Sequence, residues 1–139
     1  MKYYAVIDTN VIVSGLLKKN SIPEMVLASI YTNNIVPLLN DEIVDEYERV
    51  LSSKKFDFNE ELIKKTIQTV CSKAIYLNSK EFEDVMVDEK DIVFYGVTLT
   101  AKEDFDLDAY LVTGNIRHFP RKEFVVTPRE MLMIILEDN

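Results

Sequence analysis

The chain has 139 residues, 47% of them apolar and 29% charged, with a formal net charge of −8. This predicts one folded domain over residues 1–139 and excludes both a disordered chain and a protein that holds nucleic acid by surface basicity alone. A single cysteine, Cys71, excludes an intrachain disulfide and a zinc knuckle, and only 3 Gly and 4 Pro favour long elements joined by few turns.

Tyr3 to Ile7 is a short run rich in aromatic and β-branched residues and predicts a buried strand. Asp8-Thr9-Asn10 ends it, and Val11, Ile12, Leu16 and Leu17 then recur at helical spacing. Ser21-Ile22-Pro23-Glu24 is a helix start: a capping serine, an early proline and an acid in the first turn. Ile35 to Leu39 predicts a second strand, although Pro37 counts against it. Asn40 or Asp41 caps a helix with the stripe Ile43, Tyr47, Val50 and Leu51. Asn59 caps the next, with Leu62, Ile63, Thr66, Ile67 and Val70, and Cys71 in that pattern reads as a small buried hydrophobe.

Ala74 to Leu77 predicts a third strand, and a polar stretch runs from Asn78 to Lys90. Asp91 then opens a helix carrying Ile92, Tyr95 and Leu99. Ala109 to Thr113 and Phe124 to Val126 predict the fourth and fifth strands. Thr127-Pro128-Arg129-Glu130 is a capping box before a last helix with Met131, Leu132, Ile134 and Ile135. Strands that are continuous apolar runs, alternating with helices, imply an α/β fold with a parallel sheet covered on both faces. No apolar run is long enough to cross a membrane, and the N-terminus meets an acid too early for a signal-peptide core, so a soluble cytoplasmic protein is expected.

In such sheets ligands bind beyond the carboxyl ends of the strands. Asp8 follows a central strand, where an unpaired carboxylate is costly to desolvate. It is a metal ligand or a helix cap, and Thr9 and Asn10 are alternative caps. Of Asp41, Glu42, Asp45, Glu46 and Glu48, most belong to a solvated face, and Glu46 borders the apolar stripe. Residues 81–91 hold six acids and one base, mostly a solvated loop; Asp91 stands apart because it begins a helix, with Asp88 as a helper. Gly114 to Lys122 is the notable basic segment, in which Arg117, His118 and Arg121 suit phosphate contact. The histidine's alternative is a structural loop role. Phe56, Phe58 and Phe119 read as core or loop packing, with a dimer or partner contact as the alternative.

Ile-Asp-Thr-Asn-Val at residues 7–11, Glu-Tyr-Glu-Arg-Val-Leu at 46–51, Asp-Ile-Val-Phe-Tyr at 91–95 and Tyr-Leu-Val-Thr-Gly-Asn at 110–115 together resemble the PIN domain, in the right order over essentially the whole chain. The branch it looks most like supplies toxin components of bacterial toxin–antitoxin pairs. The resemblance implies a three-layer α/β/α sandwich around a five-stranded parallel sheet of order 3-2-1-4-5. It also implies Mg²⁺- or Mn²⁺-dependent cleavage of single-stranded RNA, with Asp8, Glu46 and Asp91 as metal ligands and an antitoxin or a second copy as protein partner. Asn115 takes a position that is often Asp in the family, which favours one ion over a pair, and Thr9, Asn10 and Thr113 support the acids. Two other readings are a non-catalytic module of the same fold that binds RNA or protein, and a phosphatase or receiver with Asp8 as nucleophile. The phosphatase pattern asks for a second acid two residues on, where Asn10 stands.

Overall fold

In the computed structural model, which describes residues 2–138, five strands form one parallel sheet of order β3-β2-β1-β4-β5, as the resemblance implies. The strands are β1 (Tyr3–Ile7), β2 (Ile35–Leu39), β3 (Ile75–Tyr76), β4 (Ala109–Val112) and β5 (Val125–Val126). The helices are α1 (Thr9–Leu17), α2 (Ile22–Tyr31), α3 (Asp41–Leu51), α4 (Glu60–Lys73), α5 (Ile92–Leu99) and α6 (Pro128–Glu137). Ala5, Val6 and Ile7 are all buried. Successive strand residues face opposite ways, so both faces of β1 are covered.

Local chemistry sets the helix starts. Ser21 accepts from the Glu24 N–H, Asn40 from Ile43 and Asn59 from Glu61 and Leu62, and Thr127 with Glu130 closes a full capping box. The stripes turn inward largely as expected: Ile43, Tyr47 and Leu51 on α3 and Ile63, Thr66, Ile67 and Val70 on α4 are buried, while Leu17 and Leu62 stay exposed. Phe119 is buried, and Phe56 and Phe58 are half-buried with their rings stacked 5.7 Å apart. Cys71 is half-buried.

Several details differ from the sequence expectation. Pro37 lies inside β2, which is not an edge: β2 pairs with β1 on one side and β3 on the other. β3 pairs only with Leu38 and Leu39, so Pro37 falls where β2 has no neighbour on its outer side and its missing N–H costs no ladder bond. The edge strands β3 and β5 are only two residues long. The approach to α5 is a 3-10 turn over Glu89–Asp91, and its cap is Asp88, which accepts from the Lys90 N–H at 3.0 Å. Asp91 makes no capping hydrogen bond. A wider π-type turn over Thr100–Asp104 ends α5.

Two long-range contacts set the region around the strand ends. The buried Tyr47 hydroxyl donates to the Ile7 carbonyl, so α3 is pinned to β1 one residue before Asp8. Gly96 on α5 lets the segment after β3 pass close by: the Lys80 N–H donates to the Gly96 carbonyl at 3.3 Å. A Cβ at position 96 would stand 1.9 Å from Ser79 Oγ and 2.9 Å from the Lys80 carbonyl oxygen. Gly96→Ala should therefore cost about 1–3 kcal/mol in chemical denaturation, as overpacking does. An unchanged midpoint would show that the 79–80 segment yields freely.

Candidate metal centre

Asp8 extends β1, its own N–H donating to the Val112 carbonyl at 2.9 Å, which places its side chain at the carboxyl end of the sheet between β1 and β4. It is only 6% exposed. It starts α1 by position but makes no side-chain capping bond. The N–H groups of Thr9 and Asn10 are near enough to favour its ionised form without forming a capping hydrogen bond.

One hydrogen-bond relay does reach Asp8. Thr113, fully buried at the end of β4, donates from Oγ1 to Asp8 Oδ2 at 2.7 Å, and the same Oγ1 accepts from the Asn115 N–H at 2.9 Å. The amide N–H occupies a lone pair of the hydroxyl and commits its proton to the carboxylate. The Asp8 pKa is raised all the same: burial pushes it up, outweighing Thr113, the nearby backbone N–H groups and His118, which all pull it down.

Asp91 faces the same region. Its side chain is 14% exposed, and its pKa is pushed up to about 6 by burial and by the charges of Asp8 and Asp88, against the pull of His118. His118 Nδ1 lies 3.3 Å from Asp91 Oδ2, close enough to favour the ionised carboxyl, and that oxygen is shut off from solvent with no well-formed hydrogen bond. Buried Thr9 Oγ1 has no hydrogen-bond partner either. Among the described residues, Asp88, Asp91 and His118 form a group able to hold a metal ion, with ligand atoms within 4.8 Å of one another.

The other sequence candidates take varied places. Glu46 is 23% exposed, pairs with Arg49 one turn on, and lines a groove with Glu42, Ser79, Glu89, Lys90, Ile92 and Val93, beside the turn that carries Asp91. It lies outside the Asp88–Asp91–His118 group. Asn10 is exposed on the first turn of α1, and Asn115 is half-buried just past β4. Arg117 and Arg121 are exposed and line a shallow groove with Ile116 and Phe119. His118, grouped with these cations by sequence, turns toward the acids instead. Tyr47 is the residue that reading by stripe undervalues: helical spacing marks it as core but gives no sign of its bond to Ile7.

The PIN domain family model matches residues 4–117, a span that includes both Asp8 and Asp91. The chain belongs to the PIN domain family. It is also similar to an uncharacterized protein of Methanocaldococcus jannaschii, 32% identical over 118 residues that cover 83% of this chain and 72% of that protein. PIN domains are in general metal-dependent nucleases, and the acidic cluster here is a candidate metal site of the kind such a protein needs.

The residues present fit a divalent cation. Oxygen-rich donor sets suit hard ions such as Mg²⁺ and Mn²⁺. A buried carboxylate oxygen without a hydrogen bond, and two acids whose pKa values are raised by burial, mark an unmet demand for positive charge. Without metal, that demand falls on stability. The folded-state pKa of Asp91, about 6, lies above its ordinary 3.8, so between these values the folded form holds the proton more tightly than the unfolded form. The contribution of Asp91 is then complete below about pH 4 and lost as pH rises through about 6. In EDTA, Asp91→Asn should melt close to wild type near pH 4 and several degrees above it at pH 7.5. A difference that does not change with pH would contradict the raised pKa.

Proposed function

We propose that this chain is an endoribonuclease that uses Mg²⁺ or Mn²⁺ to hydrolyse single-stranded RNA, acting as the toxin of a toxin–antitoxin pair in the cytoplasm, with residues 1–139 as one catalytic domain. The observation that carries the reading is Asp8, buried at the carboxyl end of the sheet, with the half-buried Asp91 close enough for the Asp8 charge to raise its pKa. Asp8, Glu46 and Asp91 would hold the cation, Glu46 by leaving Arg49. When bound, a divalent cation supplies Lewis acidity toward a phosphate oxygen and toward attacking water.

The protein's own groups do the rest. Thr113 keeps Asp8 in one orientation, and Asn115 keeps the Thr113 proton aimed at it. Thr9 and Asn10 support the same strand end. The Asn115 side-chain amide, half-buried beside Thr113, would orient a water or a phosphate oxygen. Arg117 and Arg121, both exposed, would meet the RNA backbone, while His118 in the same stretch faces Asp91 instead. An antitoxin would cover this edge, and a homodimer would use the helical surface.

A second reading, a weakly active or inactive PIN module that binds RNA or protein, draws on the Glu46–Arg49 pair and on Asn115 in place of an acid. Calorimetry with Mn²⁺ separates the two: RNA or protein binding without metal uptake at millimolar Mn²⁺ favours the module. Asp8→Asn should remove detectable Mn²⁺-dependent cleavage of single-stranded RNA in a gel assay, and wild-type cleavage by that variant would refute the site. Thr113→Val, which removes only the partner of Asp8, should lower activity or metal affinity by about 10–100-fold.

A further inference from the structure

We propose that the imidazole of His118 is itself a metal ligand, joining the carboxylates of Asp88 and Asp91 to hold the cation at the end of the sheet. This rests on the metal-dependent reading above and adds His118 and Asp88 to the ligands on the Asp91 side of the site.

Three observations converge on it. The ligand atoms of Asp88, Asp91 and His118 lie within 4.8 Å of one another. Donors around one ion at bond lengths of about 2.0–2.2 Å stand roughly 3–4.3 Å apart, so small side-chain rotations complete the set. Secondly, Asp91 Oδ2 and His118 Nδ1 are 3.3 Å apart, and that oxygen is sealed from solvent with no well-formed hydrogen bond, so His118 is the neighbour placed to share an ion with it. Thirdly, the charges of Asp8 and Asp88 both act on Asp91. A further anionic ligand would add repulsion, whereas a neutral imidazole adds a donor and no charge.

The competing role for His118 is that of a built-in counter-ion that neutralises Asp91 until a cation displaces it. The two roles predict opposite signs. Loss of a ligand weakens metal binding; loss of a counter-ion strengthens it. A nitrogen donor also biases the site toward transition ions over Mg²⁺, with Co²⁺ and Zn²⁺ gaining more than Mn²⁺.

The test is metal binding by the full chain, read by calorimetry and by pulsed electron paramagnetic resonance on bound Mn²⁺. Wild type should show ¹⁴N coupling from an imidazole, a readout that needs no variant. His118→Ala and His118→Asn should lose that coupling and bind Mn²⁺ and Co²⁺ at least about 10-fold more weakly, the lower end of the loss seen even for outer-shell partners, with a smaller change for Mg²⁺. Absence of nitrogen coupling in wild type, or equal or tighter Mn²⁺ binding by folded His118→Ala, would overturn the role of His118 and leave the nuclease reading standing. No Mn²⁺ uptake by wild type at millimolar concentration would overturn both.

Discussion

The structure turns on carboxylates that have been taken out of water at one end of a parallel sheet. Asp8 is carried there by β1, whose apolar residues leave its last position no route to solvent. Asp91 arrives from the turn before α5, and Asp88 caps that turn. The charges of Asp8 and Asp88 make Asp91 harder to ionise. In compensation the protein supplies Asp8 with the Thr113 hydroxyl, polarised by the Asn115 N–H, with weaker help from the Thr9 and Asn10 N–H groups and His118. What is left over is an electrostatic deficit that a proton relieves in acid and a divalent cation relieves near neutrality. Stability given up at a site of this kind is a common cost of function.

The same deficit gives meaning to the overall charge. A net charge of −8 repels a polyanion at long range, so attraction has to be local. The exposed Arg117 and Arg121 lie just past β4, whereas the acid-rich stretch over residues 81–91 leads into α5.

Much of this was legible in the sequence because it is written locally. Apolar runs gave the strands, and Ser21, Asn40, Asn59 and Thr127 marked helix starts by side chains that bond within three residues. Strand order came from the ordered motifs of the PIN resemblance, not from periodicity, which carries no information on which strand lies beside which. Asp8 stood out because position at a strand end is also a local property. The features that escaped are long-range. No pattern around Tyr47 announces a bond to a carbonyl forty residues earlier in the chain, and none around Gly96 announces the Ser79–Lys80 backbone. The direction taken by His118 depends on where α5 begins in space. Glu46 shows a different limit: a pairing with Arg49 on its own helix competes with any role inside the site, and spacing is silent on which one prevails.

The shortness of β3 and β5 has a consequence for how this protein meets its surroundings. An open sheet ends in two rows of backbone donors and acceptors, which invite another chain to add itself as a strand. Here each row is two residues long, less than one full repeat of the ladder on either flank. An incoming strand would gain too few bonds to offset the ordering of its backbone. The sheet is therefore a poor template for edge-to-edge aggregation, and association with another molecule is steered to the helices and the loops.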